Sequence, residues 1–81
     1  MTWTLGNATV NAGQTWSQWF SWGSDPGAQY IVPNPLNPGG ILQINSVSKQ
    51  LNADGSVVYT VVFTNTGSVT TNVNFQGGGL S

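Results

Sequence analysis

Along residues 57–64 every odd position is apolar (Val57, Tyr59, Val61, Phe63), and the even positions mix Val with Thr. A second run alternates Val69, Thr71, Val73 and Phe75 with Thr70, Asn72 and Asn74. Period-two alternation of β-branched and aromatic residues predicts half-buried strands. Asn65-Thr66-Gly67 lies between them, with Gly67 third, where a three-residue hairpin loop wants a left-handed residue. Pairing Thr64 with Ser68 sets Phe63 opposite Val69 and Tyr59 opposite Val73, and keeps both apolar faces on one side of the sheet. The expected arrangement is therefore a hairpin.

Residues 41–51 read as a further strand whose apolar phase shifts. Leu42 and Ile44 share one parity, Val47 and Leu51 the other, and a bulge near Asn45-Ser46 reconciles them. The turn Ala53-Asp54-Gly55 sets Leu51 opposite Val57 and puts Lys49 on the inward parity, opposite Tyr59. Three arrangements accommodate that lysine: a different bulge, snorkelling past the sheet edge, or service as an edge guard.

The N-terminal half is less regular. Residues 2–5 and 8–10 look like short strands around Gly6-Asn7, and Asn11-Ala12-Gly13 is a turn. Residues 14–22 place Trp16, Phe20 and Trp22 on one face, and Trp19 on the other with Ser17 and Ser21. Trp16, Trp19 and Phe20 also fit a helical spacing, but the flanking glycines and indifferent helix formers disfavour it. Residues 23–27 form a turn and 28–32 a short strand. Residues 33–40, with Pro33, Pro35 and Pro38, lack ladder donors and should run as an extended polyproline-like connection. Residues 77–81 read as a Gly-rich C-terminal tail, which leaves 1–76 as one domain. Six or seven short strands with close turns predict an all-β fold, a small antiparallel β-sandwich of Ig-like or jelly-roll-like kind.

At Tyr59-x-Val61-x-Phe63-x-Asn65-x-Gly67 the chain resembles immunoglobulin-like β-sandwich modules of bacterial surface and secreted proteins. In those modules a Tyr-x-Val alternation runs into an Asn-x-Gly hairpin. The resemblance covers residues 57–75 and implies a sandwich of antiparallel sheets. The expected location is extracellular or at the cell surface, although residues 1–4 carry no signal-peptide pattern.

Charge changes the picture most. Lys49, Asp25 and Asp54 are the only charged side chains among 81 residues, so charged residues are 4% against a typical ~25%. Histidine and cysteine are absent, which removes disulfides, zinc ligation and the usual base of a nucleophilic triad. Both aspartates sit in turn contexts, Asp25-Pro26-Gly27 and Asp54-Gly55, and turn chemistry explains them better than paired-carboxylate catalysis. One Asp with carbonyls supplies at most a weak calcium site. No catalytic residue, metal or cofactor is therefore expected. A single basic residue leaves nucleic acid without its main attraction, and the same lack weakens binding to anionic membranes.

What remains is recognition by uncharged groups. Carbohydrate fits this chemistry: its C–H faces stack on aromatic rings, and its hydroxyls pair with amides and hydroxyls. Parity makes Trp19 the first candidate platform. Trp3 and Tyr30 are further aromatics, and Asn34 and Asn37 are candidate polar rim residues. The leading expectation is a non-enzymatic, lectin-like carbohydrate-binding module. The rival is a self-assembling structural or adhesion domain, and a small oligomerising toxin-like protein is a third reading. The expected partners are a glycan or further copies of the chain in a homo-oligomer, since an 81-residue chain without staples has a thin core and a net charge of −1 barely repels its copies.

Overall fold

Residues 2–80 are described by the structure, a computed structural model. The strands are β1 (Thr2–Val10), β2 (Thr15–Trp22), β3 (Gln29–Pro35), β4 (Leu42–Leu51), β5 (Val57–Asn65) and β6 (Thr71–Gly79). They form two three-stranded antiparallel sheets, ordered β1-β6-β3 and β2-β5-β4. This is the all-β sandwich that the alternation predicts. The first strand pairs with the last and the second with the fifth, a nested winding of the jelly-roll kind. Only β4 and β5 are joined as a hairpin; the chain changes sheet at every other connection.

The expected hairpin over residues 57–75 is therefore corrected. β5 and β6 are the central strands of different sheets and face each other across the core. Val57, Tyr59, Val61 and Phe63 on β5 are buried against Val73 and Phe75 on β6, with the Phe63 and Phe75 rings 5.7 Å apart and edge-on. Alternation shows which face of a strand is buried and leaves open whether its apolar neighbour lies beside it or opposite. Asn65 settles the matter here. It is fully buried, and its Nδ2 donates to the carbonyls of Val10 (3.1 Å) and Val69 (2.8 Å) while its Oδ1 accepts from the Gly67 N–H (3.0 Å). Gly67 does not have positive φ. It is needed for space, because a Cβ there would collide with the Gly39 carbonyl.

The β4–β5 hairpin has the expected register, with Leu51 opposite Val57 and Lys49 opposite Tyr59. Gly55 (φ 88°) closes its turn, and the bulge falls between Ile44 and Ser46. Inward parity does not bury β4, however. Ile44, Val47 and Leu51 remain exposed because this edge strand is left uncovered by the opposite sheet.

Three more expectations are corrected. Residues 2–5 and 8–10 belong to one strand, interrupted by a bulge at Gly6 (φ 76°). Pro33 and Pro35 pair with Phe75 and Val73 inside β3, so the proline segment begins as a ladder strand. β3 is an edge strand, and the Leu36 N–H bonds to the Asn72 carbonyl; the nitrogens of odd residues therefore face the open side, where a missing donor costs nothing. Gly77, Gly78 and Gly79, assigned to a tail, pair with β1 and β3 in the centre of a sheet. The Trp3 indole lies over Gly77, so only a residue without a side chain fits. Ser81, the end of that expected tail, and Met1 lie outside the described residues.

Two substitutions test this arrangement. Asn65→Ala removes the partners of two carbonyls and one N–H, and should cost roughly 2–4 kcal/mol in urea unfolding; at an exposed hairpin tip it would cost little. Gly77→Ala should lower stability by roughly 1–3 kcal/mol through overpacking against Trp3, whereas a free tail would not respond.

Candidate functional site

β2 carries Trp16, Trp19 and Trp22 along one edge of the sandwich. Its pleat directs Trp16, Phe20 and Trp22 inward. Trp3 on β1 packs between the sheets, with its ring 5.6 Å from Phe20 and 6.0 Å from Trp22. Phe20 in turn meets Phe75 at 5.3 Å, and Trp22 meets Tyr59 at 5.4 Å. These tilted and edge-on contacts make a rigid aromatic layer beneath the β1 and β2 edges.

Above that layer the sandwich stays open. A groove of about 660 Å³ runs between the two edges, with Trp3, Trp22 and Leu5 as apolar walls and Asn7, Gln18 and Ser21 as polar ones. The bulge at Gly6 lets β1 bend here, and Leu5 is left 51% exposed despite its inward parity. Trp19 stands at the lip, 64% exposed, on the outer face opposite Thr60. The Gln18 amide Nε2 donates to the Trp19 carbonyl (3.3 Å), which ties the polar rim to the platform. Among the described residues, no ionisable side chain lines the groove.

The five candidate residues separate. Trp19 and Trp3 share the groove, but the Trp3 Nε1–H is engaged with Gln29 Oε1 (3.3 Å), so Trp3 acts as wall and core together. Tyr30 lies on the outer face of the other sheet, beside a smaller depression of about 440 Å³ bounded by Thr2, Thr4, Val32 and Gln76. Asn34 is on that same face, across from Asn74, whose Oδ1 is buried without a hydrogen-bond partner among the described residues. Asn37 serves the fold. Its Oδ1 accepts from the Asn72 N–H (2.7 Å) and from Thr71 Oγ1 (3.4 Å), fastening the β3–β4 connection to β6. Sequence patterning missed Leu5, Asn7, Gln18 and Trp22. Trp22 shares the face of Trp16 and Phe20, and strand pairing turns Leu5 and Gln18 inward as well; only the open seam between β1 and β2 makes them a surface.

The charged groups lie elsewhere. Lys49 points inward at the β4 edge, 5.5 Å from the Tyr59 ring centre, and donates to Asp25 Oδ1 at 2.8 Å. It therefore resembles the snorkelling arrangement, anchored by an ion pair. Tyr59 accepts from the Gln29 N–H (3.2 Å) and donates to the Gly27 carbonyl (3.0 Å), so the β2–β3 connection is held from two sides. The hydrogen bond from Lys49, assisted by the Gly27 N–H, holds the Asp25 carboxyl below its ordinary 3.8. The same bond to Asp25 raises Lys49 above 10.5. Hydrogen bonds from the Ser56 hydroxyl and N–H lower Asp54. Both carboxylates are thus occupied internally, and no group of three acidic, His or Cys side chains stands together among the described residues.

The signs of these shifts define a pH window. A lowered carboxyl contributes stability above its unfolded value and loses it as pH falls through the folded one. A raised lysine contributes below its unfolded value and loses that contribution as pH rises through the folded one. The chain has no histidine or cysteine to titrate near neutrality. Thermal midpoints should stay level from about pH 5 to about pH 9 and fall only outside that range; a side-chain transition near pH ~6.5 would contradict it.

No family model, curated protein or solved structure matches this chain, so the groove is read through its own chemistry.

Proposed function

We propose that this protein binds neutral carbohydrate without chemical turnover, using Trp19 as a stacking platform at the lip of the β1–β2 groove. The observation that carries the reading is the indole of Trp19, held largely in water beside a groove of uncharged polar groups. An exposed apolar patch rimmed by polar groups marks a contact site, and Trp19 adjoins the exposed Leu5 in the lining of this groove. Binding sites commonly combine apolar walls with a few placed hydrogen-bonding groups. Trp3, Trp22 and Leu5 provide the walls, and Asn7, Gln18 and Ser21 provide donors and acceptors suited to hydroxyls. Among the described residues, the lining offers no charge to a phosphate, carboxylate or amine. Tyr30, Asn34 and Asn37 are not part of this site. The self-assembly reading draws on a different feature, the uninterrupted edge of β2.

A glycan array followed by titration of the best ligand tests the proposal. Wild type should retain at least one neutral glycan. Trp19→Ala should remain folded, because the side chain is outside the core, and should lose about tenfold or more in affinity, equivalent to about 1.4 kcal/mol. No retained glycan, or unchanged affinity in the variant, would sink the reading.

A further inference from the structure

Two three-stranded sheets leave four edge strands, β1, β3, β2 and β4. Open edges present unpaired N–H and C=O groups and are normally guarded. Three of these edges are. β1 is broken by its bulge at Gly6, β3 turns the donorless nitrogens of Pro33 and Pro35 outward, and β4 carries both a bulge and the only lysine. β2 has no guard. Its eight residues pair with β5 in unbroken register, with no proline, glycine or charge among them.

The free groups of this edge can be assigned. The Asn65 N–H bonds to the Gln14 carbonyl, so even-numbered residues direct their backbone groups at β5. Thr15, Ser17, Trp19 and Ser21 therefore direct theirs to the open side, where the Trp19 carbonyl meets only the side-chain amide of Gln18 (3.3 Å). The strand is also nearly symmetric about its middle. Trp16-Ser17-Gln18-Trp19-Phe20-Ser21-Trp22 reads the same in both directions except for Gln18 and Phe20. Two-fold pairing requires such self-complementarity, because each residue meets its mirror position in the other copy.

We infer that β2 pairs antiparallel with β2 of a second copy of this chain, about a two-fold axis at Trp19. The merged sheet has the order β4-β5-β2-β2-β5-β4. Trp19 lies opposite Trp19 of the second copy, Ser17 opposite Ser21, and Trp16 opposite Trp22. Each set keeps its own face, since the paired positions share parity. Ser17 and Ser21 exchange backbone hydrogen bonds, and Trp19 does so with its counterpart once the Gln18 amide gives up the Trp19 carbonyl. Aromatic pairs then sit across the strands on both faces, a favourable cross-strand combination. With no charge on β2 and a net charge of −1 per chain, the copies approach without appreciable repulsion. The inference stands on the edge and its symmetry, independent of the carbohydrate reading. Pairing would set two Trp19 indoles side by side on the outer face.

Sedimentation velocity over a wide concentration range tests it, with circular dichroism confirming the fold of each variant. Wild type should show a concentration-dependent monomer–dimer equilibrium. Ser17 and Ser21 are exposed and face each other across the proposed axis, so S17K/S21K places like charges opposite at two points. S17K/S21E places opposite charges there instead. The first variant should dissociate and the second should remain dimeric, with dissociation constants separated by roughly tenfold or more. A wild type that stays monomeric to its solubility limit would overturn the inference. Association equal in both variants would do the same, and would point to the exposed Ile44, Val47 and Leu51 on β4.

Discussion

The face-to-face contact of β5 and β6 organises this protein. Each is the middle strand of its sheet, and their buried sides meet at Phe63 and Phe75 with no charged group between. A chain this short buries only about 60% of the surface its unfolded form exposes, and here disulfides are ruled out by composition. The core must therefore supply the stability directly. It does so with a run of tilted aromatic contacts from Trp16 and Phe63 through Phe75 and Phe20 to Trp3, Trp22 and Tyr59. Asn65 makes the arrangement specific. It closes the end of the sandwich by joining β1, the β5–β6 arch and its own turn through one fully satisfied buried amide.

The same aromatic layer shapes the surface. Where β6 needs room for Trp3, it has Gly77, and the indole fills the space a side chain would take. Trp3 then supports Phe20 and Trp22, and the seam above them stays open because β1 bulges at Gly6. The groove and the β2 edge are thus two consequences of one local solution. Both are uncharged, and both centre on Trp19. The few charges serve the fold: Lys49 and Asp25 join the β4 edge to the β2–β3 connection, and Asp54 shapes a turn with Ser56.

Much of this was legible residue by residue. The turn at Gly55, the pairing of Leu51 with Val57, the bulge after Ile44 and the outward facing of Trp19 all follow from local patterns, because turn chemistry and strand parity act over a few residues. The hairpin expected around Gly67 failed because glycine there answers a steric demand from Gly39, a residue distant in sequence. Pro33 and Pro35 were misplaced because a proline is forbidden only in a strand with neighbours on both sides. The Gly77–Gly79 run looks disordered in isolation, yet it is central once Trp3 is laid across it. Of the site, Trp19 was visible through parity. Trp22 was hidden by it, since inward parity means burial only where the opposite sheet reaches, and nothing in the local pattern of Leu5 or Gln18 distinguishes them as a surface.

By itself, then, the sequence determined the class of fold, the buried face of its central strands, the hairpin at residues 51–57 and the uncharged character of any surface. These depend on the two-residue period of a strand, on turn geometry and on composition, none of which needs a distant partner. Tertiary structure alone decided that β5 and β6 oppose each other rather than pair, that the glycine run becomes a central strand, and that a groove opens between β1 and β2. Each of those outcomes depends on which strand lies across the core, and that choice is made by packing between residues far apart along the chain.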